Sequence, residues 1–259
     1  MHTATHTPEP GVRITPLNPA ADPARVMIAP PPPFASHDDE DRVAAAWDAL
    51  CRDNPRLHDG PILAVLHIDP QTNLIVCRRE SYRRLAVQTA TPAVATGVYQ
   101  LSVTGAIIGR DRAGLPHILI GRRGTQTRMY GGMWELAPAG GIDPPASPRE
   151  RLSAGEIFAA LAREAREELA LDLGTDPCRA ALVCRDEHAR SDDLVIPVHL
   201  PGTIDPRKPP ACAASTSWEY LDTAWLALDD APAFVARHAD ACIPPARALL
   251  AAADRLLLQ

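Results

Sequence analysis

Arg163-Glu164-Ala165-Arg166-Glu167-Glu168-Leu169, with Gly140-Gly141 upstream of it, is the stretch that decides how this chain is read. On a helix, Glu164, Glu167 and Glu168 stand at i, i+3 and i+4, so their carboxylates share one face. In that row Glu164 has Ala160 one turn back and Glu168 one turn ahead, and neither is a cation. Like charges at this spacing cost about 0.2–0.5 kcal/mol per pair. A hard divalent cation converts that cost into a binding site, because carboxylate oxygens are its preferred ligands.

The flanking residues set the helix between strands. Ser153-Ala154-Gly155-Glu156 has capping-box spacing, which predicts a helix start at Ser153. Ile157, Leu161 and Ala165 form its buried stripe, with Phe158, Ala162 and Leu169 beside it. Upstream, 99–109 and 117–123 read as long strands around the turn 111–116, and 134–137 as a short strand before the glycine pair. Downstream, 180–185, 194–200 and 218–228 carry strand residues. A helical stretch follows near Phe234, and Pro244-Pro245 opens a last helix with Leu249, Leu250, Ala253, Leu256 and Leu257 on its apolar face.

Before residue 98 the pattern differs. Residues 1–38 are rich in proline and lack a sustained period, which predicts a flexible arm. Residues 39–97 read as a small α/β extension: a helix after the acidic run 38–41, a hairpin of 62–68 with 74–78, and a short helix from Tyr82. Residues 98–259 form the main domain.

The chain has 259 residues, enough for a sizeable core. A formal charge of −6 argues against general nucleic-acid or anionic-membrane binding. No apolar run is long enough to span a bilayer, and no signal peptide is visible. The six cysteines include no Cys-x-x-Cys pair, which disfavours zinc. A reducing cytoplasm is the expected compartment.

The order strand, Gly-Gly, loop, capped helix with Arg-Glu-Ala-Arg-Glu-Glu, then strands and a final helix resembles the Nudix hydrolase superfamily. Gly141, Arg163, Glu164, Glu167, Glu168 and Leu171 match its motif. The 143–154 loop is longer than the motif allows, and Glu156 stands one residue closer to Arg163 than the motif's first glutamate. Ala170 replaces the closing glycine, which predicts a helix end displaced toward Gly174. The extension, with its 54–61 segment, resembles the UDP-glucose pyrophosphatase-like branch.

The resemblance implies a Nudix-type α/β/α sandwich with a mixed sheet. It implies magnesium, with manganese as a substitute, on Glu164, Glu167 and Glu168, with a backbone oxygen of Gly141. Arg163 orients these carboxylates. Arg122 and Arg123 are candidates for gripping phosphate, and Tyr130 and Trp134 for lining the base or sugar pocket. Asp186, Glu187 and His188 fall where the family often keeps a further base or specificity residue. The implied activity is hydrolysis of a diphosphate linkage in a nucleoside diphosphate joined to another group. UDP-glucose, giving UMP and a sugar 1-phosphate, is the first choice; ADP-ribose, a dinucleotide, or a non-catalytic ligand sensor are the alternatives. The expected partner is a small nucleotide, with a homodimer open and neither nucleic acid nor membrane expected.

Overall fold

The computed structural model describes residues 9–30, 37–90, 93–146, 151–176, 178–213 and 218–253. In chain order the strands and α-helices are β1 (Val12–Pro16), β2 (Arg25–Ala29), α1 (His37–Asp53), β3 (Pro61–Asp69), β4 (Leu74–Ser81), α2 (Tyr82–Ala86), β5 (Gln100–Arg110) and β6 (Pro116–Arg123). There follow β7 (Trp134–Leu136), β8 (Ala139–Gly141), β9 (Arg151–Leu152), α3 (Ala154–Leu169), β10 (Leu182–Asp186), β11 (Ser191–Thr203), β12 (Tyr220–Ala227), α4 (Ala231–His238) and α5 (Pro244–Leu250).

β5 is the spine of the sheet. One of its edges runs parallel to β11, from Gln100 opposite Ser191 to Ile108 opposite His199. Its other edge is divided among three strands: Gln100 meets β3, Ser102 to Thr104 meet β8, and Ile108 to Arg110 meet β6. The partition makes the sheet fork along this edge. β4, β2 and β9 extend the β3 branch, β12 and β7 flank β6, and β10 and β1 lie beyond β11.

Side chains alternate across β5, and both of its faces are covered. Leu101, Val103 and Ile107 share a core with Ile157, Phe158 and Leu161 of α3. Ala106 and Ile108 pack with Leu249 and Leu250 of α5 on the other side. The result is the expected α/β/α sandwich around a mixed sheet. Each such large side chain contributes about 1.5–3 kcal/mol when fully buried.

α3 begins as its sequence predicts. The Ser153 side chain accepts from the Glu156 N–H, and the Glu156 carboxylate accepts from the Ser153 N–H at 2.9 Å. Its end corrects the sequence expectation. The helix stops at Leu169, and Ala170 itself takes the left-handed conformation, at φ 49° and ψ 30°. A Cβ in that region costs about 1–2 kcal/mol. Two contacts offset it: the Leu171 N–H donates to the Ala165 carbonyl at 3.0 Å, and the Leu171 side chain packs on the core.

The proline-rich beginning also departs from expectation. Residues 1–8 and 31–36, including Pro31 to Pro33, lie outside the described residues, but 12–16 and 25–29 are strands. β1 pairs antiparallel with β10, and β2 pairs parallel with β4. Five residues are too few for an alternation to stand out, and Pro16 sits at the end of an edge strand, where proline is tolerated. The β3–β4 hairpin forms as read, and Ala64 pairs with Gln100, which joins the extension edge-on to the following sheet. On the last helix Leu249, Leu250 and Ala253 are buried, while Leu256 and Leu257 lie outside the described residues. No helix among the described residues is long and apolar enough to cross a membrane.

Candidate active site

α3 crosses β8 with Glu164 against the glycine pair. A Cβ added to Gly140 would lie 2.3 Å from Glu164 Cδ, so only glycine lets this backbone approach the carboxylate. Arg163 then holds the row together. Its Nη2 is 2.8 Å from Glu164 Oε1, and its Nη1 donates to Glu167 Oε2 at 3.1 Å. Glu164 therefore does have a cationic neighbour, contrary to the helical row. The neighbour is adjacent in sequence, and its long stem curls over the face.

Glu164 and Glu168 are buried, whereas the Glu167 side chain is half exposed. Burial pushes the Glu164 carboxyl up to about 7, against the opposing pull of Arg163. Burial, a hydrogen bond with Glu219 and the charge of Glu164 together hold Glu168 well above the carboxylate range. Glu168 Oε2 is buried with no hydrogen-bond partner. An orphaned oxygen in such a place costs on the order of 1–3 kcal/mol.

The two glutamates open onto a cleft of about 640 Å³. On its floor, Glu135 accepts both Arg123 Nη1, at 2.6 and 2.7 Å, and Tyr220 Oη, at 2.8 Å. Tyr130 has a left-handed backbone, φ 57°, and donates its hydroxyl to Asp186 at 2.7 Å. Asp193 also reaches the cleft. Burial, reinforced by Asp186 and Glu135, pushes its carboxyl up to about 7.

The structure sorts the residues chosen from sequence. Arg163, Glu164, Glu168, Gly141, Arg123 and Tyr130 line the cleft together. Arg123 is spent on Glu135, so it braces the floor instead of offering a free fork to phosphate. Arg122 donates to the Gly132 carbonyl at 3.1 Å and is not part of the lining. Trp134 is not either: its ring meets Phe234 edge-on at 6.5 Å in the α5 core. Asp186 caps its own turn by accepting the His188 and Ala189 N–H groups. Glu187 is a partner of the Tyr99 hydroxyl, and His188 tilts against Tyr130 at 5.7 Å.

A second wall is built by residues from 54–62, the 126–130 loop, Tyr82 and Trp218. Sequence reasoning named Tyr130 for the pocket and singled out the 54–61 segment, but missed Arg56, Tyr82, Arg128 and Trp218 as site residues. The Arg56 guanidinium lies 5.8 Å from the Trp218 ring centroid, and Arg128 lies 5.8 Å from that of Tyr82. No spacing rule joins residues so far apart in sequence.

Among the described residues, no group of three or more His, Cys, Asp or Glu stands close enough together to hold a metal ion. Magnesium, however, commonly takes only one or two protein carboxylates and fills its shell with water and substrate phosphate. Glu164 and Glu168, with an orphaned oxygen and a glycine cradle beside them, fit that mode.

No family model matches the chain. No curated protein matches its sequence. Among solved structures, the chain is similar to the MutT protein of Methanosarcina mazei Go1, at 21% identity, TM-score 0.41, over 62% of this chain and 96% of that one. It is also similar to a NUDIX hydrolase from Alicyclobacillus acidocaldarius, at 12% identity, TM-score 0.43, over 62% and 92% of the two chains. A third, the Nudix hydrolase RenU from M. Smegmatis, has 13% identity and TM-score 0.34 over 63% and 96%.

Proposed function

We propose that the chain is a Nudix-type pyrophosphohydrolase that cleaves the diphosphate linkage of a nucleoside diphosphate joined to another group, a nucleotide sugar first. The observation that carries this reading is the pair Glu164 and Glu168, side by side in the cleft, with Glu168 Oε2 unpartnered and the Gly140 backbone packed against Glu164. Glu164 and Glu168 are the residues that would hold a magnesium ion, with a backbone oxygen of Gly141 in the same lining; Glu167, half exposed and paired with Arg163, stands outside that lining. Bound there, magnesium supplies neutralisation of phosphate charge and a more acidic water.

The chain's own residues do the positioning. Arg163 spans Glu164 and Glu167 and fixes both rotamers. The half-enclosed cleft lowers the local dielectric, which strengthens every charge contact made to the diphosphate. In the reaction a water oxygen bonds to one phosphorus as the bridging P–O bond breaks. UDP-glucose would give UMP and glucose 1-phosphate, with the protons released to solvent and the product phosphates.

The test is a panel of UDP-sugars, ADP-ribose and dinucleotides, with and without magnesium, in oxygen-18 water, with products identified by mass. The expected result is magnesium-dependent cleavage with one label in one product phosphate. Saturable binding of the panel with no turnover under any divalent cation would make the chain a ligand sensor instead.

A further inference from the structure

The proposed reaction needs only one wall of the cleft, and the other wall is built with equal definition. Residues 54–62 are pinned at both ends. The Asn54 N–H donates to the Leu50 carbonyl at the end of α1, and the Tyr82 N–H donates to the Gly60 carbonyl at 2.8 Å. Asp59 accepts Ser81 Oγ at 2.6 Å and the Arg83 N–H at 3.0 Å. Arg128 is fixed as well, donating to Tyr82 Oη at 3.0 Å and to Thr89 Oγ1 at 2.8 Å. The Arg56 guanidinium lies over the Trp218 ring, 5.8 Å from its centroid, in the cleft lining, and Trp218 is 44% exposed.

This chemistry is specific. Indole and guanidinium both present flat faces to a planar ring, and guanidinium offers only donors at its edge. The Asn54 and Gln126 amides, also in the lining, supply both donors and acceptors. A flat heterocycle bearing carbonyl or ring-nitrogen acceptors matches this surface, whereas a saturated sugar ring gains nothing from stacking on guanidinium.

We infer that Arg56 and Trp218 form the nucleobase-binding wall of the cleft, so that the N-terminal extension, through Arg56, acts as a specificity element of the site. The base stacks on Trp218 as Arg56 moves to its edge, and Arg128 on Tyr82 backs the same wall. The inference rests on the diphosphate-hydrolase reading for the other half of the substrate.

Two variants test it, Trp218→Leu and Arg56→Gln, the second at an exposed position where refolding is not in question. Each is compared with wild type on UDP-glucose or ADP-ribose, whichever is cleaved, and on the base-free P1,P2-dimethyl diphosphate. The ratio of kcat/KM for the nucleotide over the base-free substrate should fall about tenfold, through KM. An unchanged ratio in both variants overturns the inference while leaving the hydrolase reading intact. A second readout needs neither metal nor turnover: UMP and AMP are titrated against intrinsic fluorescence. Saturable quenching in the wild type that Trp218→Leu abolishes supports the wall, and equal quenching in the two overturns it. A wild type that cleaves no member of the nucleotide panel sinks the hydrolase reading alone, since the quenching still decides about the wall.

Discussion

In one part of the cleft α3 crowds Glu164 and Glu168 against a glycine strand, while in another arginines lie over the rings of Trp218 and Tyr82. The first side is one helix, so its geometry follows from spacing within a single turn. The second is assembled from four separated pieces of chain, so only the tertiary fold creates it. The first also departs from a stable arrangement, with buried carboxylates and an oxygen lacking a partner, whereas every arginine on the second has an identified neighbour. Unfavourable groups that the fold nonetheless retains mark where chemistry is concentrated.

The largest effect should come from breaking the acidic side. Glu168→Gln should lower turnover at saturating magnesium by about 100-fold or more, with circular dichroism unchanged. Near wild-type rates would remove α3 from the chemistry. Gly140→Ala comes next, because its new Cβ would force Glu164 aside. A loss of about 100-fold in kcat is expected, with about 1–3 kcal/mol lower stability by denaturant titration. The Trp218 and Arg56 wall should answer more mildly, about tenfold and through KM.

Asp193 also lines the cleft and should be visible in stability. Its carboxyl is raised in the folded protein, so the native state holds that proton more tightly than the unfolded chain does. Stability from this group is full below the unfolded carboxylate range and is lost as pH rises toward 7. Because Asp193 touches the cleft, solvent screening limits the effect to about 1–2 kcal/mol. Asp193→Asn should flatten this slope between about pH 4 and pH 7 in denaturant titrations. The smallest effect is Ala170→Gly, which relieves the left-handed alanine that ends α3. It should stabilise by about 0.5–1 kcal/mol, read as a Tm rise of about 1–4 °C.

The legible parts of the molecule were those governed by short-range periodicity. The capping box at Ser153, the buried stripe of α3, the β5–β6 pair and the β3–β4 hairpin could all be read from residues within a turn or a pleat of one another. The strands at 12–16 and 25–29 could not, because five residues carry too little alternation and their partners lie far along the chain. The same limit shaped the site. Arg123 and Trp134 look alike in sequence, as polar or aromatic residues at strand ends, yet Glu135 captures the first and Phe234 the second. Arg56 and Trp218 carry no local signal, since each acquires its role only when the fold brings the other opposite.

The central claim is that Glu164 and Glu168 jointly hold a divalent cation, and manganese binding followed by electron paramagnetic resonance tests it most directly. Titration of wild type and of the Glu164→Gln/Glu168→Gln double variant should show at least one bound ion in the first and a loss of about 100-fold in affinity in the second. Equal manganese binding by the two proteins, with the double variant folded, would contradict the account.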